Sequence, residues 1–151
     1  MTDGKFAPRE VFEQILKWAV IPTFDLVIEY DKQIILVKRK IAPYQHRWAL
    51  PGLRILKGEH IDDVLNRIAR QELGLKVEVS KSIFLGQYVG MFRTEHDRQD
   101  LSTGYYVLAN PQQRITLNEK HLSSYKLIDS KEQIPSHIGA MYRFYLDKYF
   151  N

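Results

Sequence analysis

One glutamate in the middle of the chain breaks the pattern of the helix in which it lies. Apolar residues recur at helical spacing between positions 61 and 69, which predicts an amphipathic helix with one face toward the core. At about 100° per residue, Glu72 falls only about 20° from Ile61, near the centre of that face. It also lies in the last turn, where the helix dipole disfavours negative charge. Such a break is typical of a functional site, although a frayed last turn with Glu72 in water would also explain it.

The composition limits the chemistry that is available. The 151 residues are 44% hydrophobic, which suits one domain with a sizeable core, and the net charge of +4 is compatible with a polyphosphate ligand. The absence of cysteine excludes disulfides, thiolate nucleophiles and cysteine-based zinc sites, so that a hard cation such as Mg²⁺ is favoured. Residues 1–17 lack the apolar segment of a signal peptide and no stretch is long enough to span a membrane. We therefore expect a cytoplasmic location and no membrane partner.

The elements around Glu72 follow from periodicity. The pattern predicts helices over about 8–18, 61–73 and 138–145, strands at 23–30, 33–39, 48–50, 77–92, 104–109, 114–117 and 125–128, and a charged solvent loop at 93–102. Gly74 is a natural C-terminal cap for the central helix. The order of helix, strands, helix, strands, helix predicts an α+β fold, with a mixed sheet between helices on both faces.

The stretch around Glu72 also carries a known signature. Five positions keep the spacing of the Nudix box, namely Glu59, Arg67, Glu72, Gly74 and Leu75. The chain therefore resembles the Nudix hydrolases, which implies a single Nudix domain over residues 1–151, an α/β/α sandwich, with its box at about 53–75. Three positions depart from the signature: Leu53 replaces a Gly, Ile68 replaces the Glu after the Arg, and Gln71 replaces the first of two paired Glu residues.

The departures resemble one Nudix subfamily, the GDP-mannose mannosyl hydrolases, which lacks the same two carboxylates. The similarity extends over about residues 12–145 and includes the segments 24–26, 38–39, 104–108 and 119–121, together with Trp48 and Arg54. The resemblance implies a Mg²⁺-dependent hydrolase of nucleoside diphosphate sugars, with GDP-mannose as the leading substrate and Mn²⁺ as the alternative cation. In that chemistry water attacks the anomeric carbon of the sugar and the nucleoside diphosphate leaves.

The resemblance also implies roles for individual residues. His121 matches the general base, and Arg39 and Arg54 match catalytic residues on the diphosphate. The implied substrate contacts are Asp25, Arg39, Arg54, Arg67, Tyr105 and Lys120; the implied metal ligands are Glu72 and a backbone carbonyl, that of Leu53 or, as second choice, Gly52.

Simpler roles stay open for several of these residues. Arg67 has Asp63 four residues earlier and could form only an exposed helical ion pair. His121 and Asp25 could face solvent, and Tyr105 could belong to the core. Lys120 occupies the position of a Gln metal ligand in the subfamily, and an ammonium cannot ligate Mg²⁺. Either Lys120 contacts phosphate directly, or water completes the metal site, or the activity is lost or changed.

Three functions therefore compete. The first is hydrolysis at the anomeric carbon, the second is pyrophosphohydrolysis at phosphorus, and the third is a catalytically silent nucleotide-sugar binding module. In each the partner is a small nucleotide sugar rather than a nucleic acid, and a homodimer is common among relatives.

Overall fold

Three helices and seven strands make up the computed structural model, which describes residues 6–93 and 97–151. The helices are α1 (Arg9–Trp18), α2 (Ile61–Leu73) and α3 (Ala140–Phe150), with a short 3-10 turn at Lys131–Gln133. The strands are β1 (Ile21–Tyr30), β2 (Gln33–Arg39), β3 (Trp48–Ala49), β4 (Gly52–Arg54), β5 (Val77–Phe92), β6 (Arg98–Ala109) and β7 (Leu122–Ile128). No helix in the described part of the chain is long and apolar enough to cross a membrane.

All seven strands belong to one mixed sheet. The main order is β3-β2-β1-β6-β5, β4 pairs with β1, and β7 pairs with β2. Only β1 and β6 run parallel to each other; the other pairs are antiparallel. Helices α2 and α3 both pack against β1 and β5, which confirms the predicted sheet between helices. Because β1 is central and covered on both faces, residues 23–28 are buried without the alternation of a half-exposed strand.

Helix α2 has the predicted bounds and both of its ends are capped. The His60 N–H donates to Asp63 Oδ2 at 2.9 Å at the start, and Gly74 adopts φ 66° at the end. Asp63 therefore caps the helix and does not pair with Arg67, contrary to the simpler alternative. Glu72 is only 2% exposed. The alternative of a frayed last turn is therefore wrong, and Glu72 points into the protein.

The prediction of a solvent loop at 93–102 is wrong from Arg98 onward. Residues 94–96 of this segment lie outside the described part of the chain. Residues 98–102 form the start of β6, which pairs with both β1 and β5. Charge is tolerated in this interior strand because Arg98 Nε donates to Asp100 Oδ1 at 2.7 Å. Asp100 and Ser102 are 3% and 0% exposed, so the polar segment faces the interior.

The predicted strand at 114–117 is also wrong, because this segment docks on the end of α2 and joins no sheet ladder. The Thr116 N–H donates to the Leu73 carbonyl and the Asn118 N–H donates to the Glu72 carbonyl, both at 2.9 Å. These bonds satisfy carbonyls that the last turn of a helix leaves open. They also bring the segment that ends in His121 next to Glu72.

Candidate functional site

One cleft of about 350 Å³ collects most of the residues that the sequence singled out. Seven of the predicted residues line it: Asp25, Arg39, Gly52, Leu53, Arg54, Arg67 and His121. Arg98 and Asp100, which the sequence placed in a solvent loop, line it as well. Glu72, Tyr105 and Lys120 are not among the lining residues.

Glu72 lies behind His121 and holds its ring. His121 Nδ1 is 3.0 Å from Glu72 Oε1 and 3.1 Å from Oε2, and Asn118 Nδ2 donates to Oε2 at 3.0 Å. A carboxylate between two nitrogen atoms accepts from both, so this network assigns the imidazole proton to Nδ1. Nε2 is then an acceptor without a partner among the described residues, on a ring that is about one third exposed and lines the cleft. This arrangement can accept a proton from a water molecule.

The loop between β6 and β7 supplies the geometry of this pair. The Asn118 carbonyl accepts from the backbone N–H groups of His121 and Leu122 at 3.0 and 2.9 Å, which makes a tight turn. Asn118 therefore positions both partners, through its main chain and through its side chain. Asn118 is not among the residues predicted from the sequence, although an Asn three residues before a candidate His was a usable signal.

The resemblance implies a divalent metal ion, so the oxygen and nitrogen atoms around Glu72 must be checked as possible ligands. Both Glu72 oxygens accept hydrogen bonds and the side chain is 3% exposed. Within residues 6–93 and 97–151, no three His, Asp or Glu side chains are grouped so that they could hold one ion. Mg²⁺ requires near-octahedral oxygen coordination. The described residues therefore form no all-protein cage for Mg²⁺ or Mn²⁺, and Glu72 could ligate an ion shared with substrate phosphates only if its contacts with His121 and Asn118 gave way.

The two candidate carbonyls of β4 face different ways. The Leu26 N–H donates to the Pro51 carbonyl and the Ile55 N–H donates to the Pro22 carbonyl. In an antiparallel ladder with this register, the Leu53 carbonyl faces β1 and the Gly52 carbonyl faces away from it. The carbonyl that is not needed by the ladder is therefore that of Gly52, whereas the carbonyl of Leu53 was the first choice from the sequence.

Arg67 uses its guanidinium inside the protein. Its Nε and Nη2 donate to the two Glu59 oxygens at 2.7 and 3.0 Å, and Nη2 also donates to the Arg54 carbonyl at 2.7 Å. Nη1 donates to Gln71 Oε1 at 3.3 Å. The Arg67 and Glu59 side chains are each 8% exposed. Arg67 therefore ties α2 to β4 and thereby positions Arg54.

Arg39 is similarly committed to the main chain. Its Nε donates to the Pro43 carbonyl at 2.5 Å and its Nη2 to the Ala42 carbonyl at 3.2 Å. These bonds fix the 41–43 segment, which forms part of the cleft wall. The positive charge of Arg39 also lowers the pKa of Asp25 and of Asp100, against the larger opposite effect of burial.

Asp25 lies on the sheet side of the cleft, 4% exposed. Its Oδ2 is 2.5 Å from Ser102 Oγ, which is 2.8 Å from the Tyr145 hydroxyl of α3. Burial raises the pKa of Asp25 to about 7, and the Ser102 hydrogen bond and Arg39 only partly oppose this effect. A Cβ on Gly52 would lie 2.2 Å from Asp25 Oδ1, so the glycine makes room for this carboxylate. Asp25 is therefore a buried group, and its predicted solvent-facing alternative is wrong.

Comparison with known families decides the identity of the fold. The NUDIX domain profile matches residues 21–146, which is most of the chain. The chain belongs to the Nudix family. The MutT Nudix hydrolase from Burkholderia pseudomallei has a similar structure, with a TM-score of 0.72 over 85% of this chain and 96% of that chain, at 20% identity. This similarity confirms the predicted Nudix-type α/β/α sandwich.

Two relatives in sequence cover only part of the Nudix domain. The low-salt glycan biosynthesis protein Agl8 from Haloferax volcanii is 29% identical over 94 residues, 62% of this chain and 56% of that protein. An ADP-ribose pyrophosphatase from Methanocaldococcus jannaschii is 41% identical over 64 residues, 42% of this chain and 37% of that protein. The matches therefore span about half of the first relative and about a third of the second.

Two predicted ligand contacts of this Nudix protein lie apart from the cleft. Tyr105 stacks on Phe24, with ring centroids 6.2 Å apart, and meets Phe84 edge-on at 5.8 Å. Its neighbour in β6, Gly104, faces the Tyr145 ring. Because successive residues of a strand point to opposite faces, Tyr105 lies on the other face of the sheet. Lys120 is exposed, and its N–H donates to Asn118 Oδ1 at 3.2 Å. Tyr105 has the packing of a core residue, and Lys120 belongs to the turn that carries His121.

Proposed function

We propose that this Nudix protein hydrolyses nucleoside diphosphate sugars of the GDP-mannose type, with His121 as the general base. The observation that carries the proposal is the Nδ1 contact of His121 with Glu72, which leaves Nε2 free on the cleft. An imidazole is an effective base near neutral pH without a large change in its pKa. The buried carboxylate fixes the ring tautomer and stabilises the imidazolium that forms.

The reaction proceeds in one displacement. A water molecule gives a proton to His121 Nε2 while its oxygen bonds to the anomeric carbon of the sugar. The bond between that carbon and the diphosphate oxygen breaks, and the electron pair leaves with the nucleoside diphosphate. The guanidinium of Arg54, which lines the cleft and has no carboxylate partner in the described residues, is available to stabilise the charge on the leaving group.

Attack at phosphorus is the competing reaction. It is favoured by the name of the Methanocaldococcus jannaschii relative, an ADP-ribose pyrophosphatase. Against it, Ile68 and Gln71 replace two carboxylates of the Nudix box, which removes ligands for a cluster of metal ions. Attack at carbon needs a base and a good leaving group, and it depends less on such a cluster. We therefore place the carbon reaction first.

A nucleotide-sugar panel in ¹⁸O-labelled water separates these reactions. Purified protein is incubated with GDP-mannose and with other nucleoside diphosphate sugars, and the products are identified by mass spectrometry. The proposal expects free sugar that carries the label and an unlabelled nucleoside diphosphate. Label in a phosphate, with nucleoside monophosphate and sugar phosphate as products, would establish the pyrophosphohydrolase instead.

The silent binding module is the remaining outcome, and Lys120 is the residue that favours it. Ligands that raise the melting temperature without any turnover across the panel would support it and contradict both enzyme functions. The panel is run with EDTA, with Mg²⁺ and with Mn²⁺, because the sequence predicts a requirement for Mg²⁺ that the donor set does not explain. A homodimer and a cytoplasmic location stay predictions.

A further inference from the structure

We propose that Arg98, held in place by Asp100, binds the diphosphate of the substrate together with Arg54. The inference rests on the proposed function, since it assumes a ligand with two adjacent phosphates. Neither Arg98 nor Asp100 belongs to the Nudix box or to the segments that carry the sequence resemblance. Both line the cleft that also contains His121.

Arg98 is held on one side only, with its terminal nitrogens left over. Its Nε donates to Asp100 Oδ1 at 2.7 Å. The Arg98 side chain is 14% exposed and the Asp100 side chain is 4% exposed. Within the described residues its two terminal nitrogens have no hydrogen-bond partner. These nitrogens are not among the buried polar atoms that lack a partner, so they still reach solvent at the cleft, where a ligand can replace water as their acceptor. The Asp100 contact therefore fixes the side chain and leaves its end for a ligand.

A second guanidinium, that of Arg54, lines the same cleft. Arg54 stacks over the rings of Phe12 and Phe6, at 4.7 and 5.4 Å from their centroids. Burial lowers the pKa of Arg54, and the positive charges of Arg67 and Arg98 lower it further. Two such cations that face one cleft repel each other until an anion lies between them. The arrangement is suited to a dianionic group.

The cleft also contains a buried hydroxyl that has no partner in the described residues. Thr23 is 7% exposed, lines the cleft, and its Oγ1 has no hydrogen-bond partner in the described part of the chain. Thr23 lies opposite Arg54 in the β1–β4 ladder and opposite Ser102 in the β1–β6 ladder. A buried hydroxyl without a partner is uncommon and costs free energy. A phosphate oxygen would accept from it.

The other cleft arginines are less suited to this role. Arg67 is bonded to Glu59, Gln71 and a main-chain carbonyl, and Arg39 is bonded to the carbonyls of the 41–43 segment. Their donors are therefore largely used. Arg54 and Arg98 present planar forks, and each can give two parallel hydrogen bonds to a phosphate.

Isothermal titration with inorganic pyrophosphate, in metal-free buffer, tests the inference without turnover. The double variant Arg98→Gln/Asp100→Asn removes the ion pair as a unit and leaves no buried charge alone. We expect its Kd to rise about tenfold or more, because a charge-assisted contact is lost. Asp100→Asn alone keeps an Oδ1 acceptor for Arg98 Nε and removes a negative charge beside the ligand, so it should weaken binding much less than the double variant. The exposed Arg114→Gln, with the same charge change as Arg98→Gln, should bind like the wild type.

Four results would overturn the inference. These are no pyrophosphate binding by the wild type at millimolar concentration, wild-type binding by the double variant, equal weakening in Asp100→Asn and the double variant, or equal weakening in Arg114→Gln. If the double variant does not fold, Arg98→Lys decides, because it keeps the charge beside Asp100 but loses the fork. A Kd unchanged in Arg98→Lys would contradict the inference. Pyrophosphate binding through Arg98 without turnover of any nucleotide sugar would remove the proposed hydrolase function and leave this site intact.

Discussion

The cleft has two walls, and each holds a buried carboxylate with different partners. On the helix wall, Glu72 accepts from two nitrogen atoms, His121 Nδ1 and Asn118 Nδ2. On the sheet wall, Asp25 meets one hydroxyl, Ser102 Oγ, and burial raises its pKa to about 7. The two side chains are 2% and 4% exposed, so depth alone does not distinguish them.

The difference shows how partners decide what a buried carboxylate can do. Glu72, with two N–H donors, is arranged to orient an imidazole and to stabilise its charged form. Asp25 has one hydroxyl donor, which only partly opposes the effect of burial, so that with a pKa of about 7 it is about half protonated near neutral pH. In its protonated form it can donate to Ser102 Oγ, which then donates to the Tyr145 hydroxyl, which in turn donates to the Ser102 carbonyl at 3.0 Å. The helix wall carries the proposed chemistry, and the sheet wall is a hydrogen-bonded support.

The largest expected effect is the loss of the base on the helix wall. His121→Ala should lower kcat about 10²- to 10⁴-fold, the range that general-base catalysis supplies. His121 is partly exposed, so the melting temperature should change little. The measurement is steady-state turnover of the substrate that the panel identifies. Exposed His137 provides the matched control, since His137→Ala should keep the wild-type rate. Unchanged turnover in His121→Ala would remove this residue from the mechanism.

The second prediction concerns the charge on the sheet wall. The pKa of Asp25 is raised from 3.8 to about 7 in the folded protein, so between these values the native state binds more protons than the unfolded state. Stability from this group is therefore fully present below about pH 4 and is lost as pH rises toward about 7. The loss approaches about 4 kcal/mol at most.

Asp25→Asn removes this titration, because the amide stays neutral. Its free energy of unfolding, from urea titrations at several pH values, should rise relative to the wild type as pH increases from about 4 to about 7. Exposed Asp129 serves as the control, and Asp129→Asn should keep the wild-type slope. A parallel pH dependence of Asp25→Asn and the wild type would show that Asp25 is ionised throughout, and the contrast between the two walls would disappear.

A smaller effect is expected where β4 meets the sheet wall. A Cβ at Gly52 would lie 2.2 Å from Asp25 Oδ1 and 2.7 Å from the Phe24 carbonyl oxygen, so the backbone must move in Gly52→Ala. The expected destabilisation is about 1–3 kcal/mol, as for other overpacked interiors. Gly58 has nothing within 4 Å of its Cβ position but has φ +90°, so Gly58→Ala measures backbone strain alone. Denaturant unfolding should show the greater loss for Gly52→Ala, and wild-type stability of that variant would contradict the close packing.

The helix wall was largely predictable and the sheet wall was not. Glu72 on an apolar helix face is a local signal, and its inward direction followed from periodicity alone. Its contact with His121, 49 positions later, required the fold. Arg98 and Asp100 are charged, and charged residues usually face solvent. They can lie inside the protein because they form an ion pair with each other, and that pairing is visible only in the structure. Burial alternates along residues 100–103 in the structure, but five of the six residues 98–103 are polar, so hydropathy gave no strand signal.

A double-mutant cycle in kcat tests the central claim, that Glu72 acts through His121. The variants are Glu72→Gln, His121→Ala and the combination, assayed on the best substrate of the panel with circular dichroism as a check of folding. If Glu72 only orients and stabilises the imidazole, the combined variant should be about as slow as His121→Ala alone, because groups that act as one unit are not additive. Losses that multiply would mean that Glu72 has a separate role, such as the metal ligand that the resemblance implies, and would contradict the account.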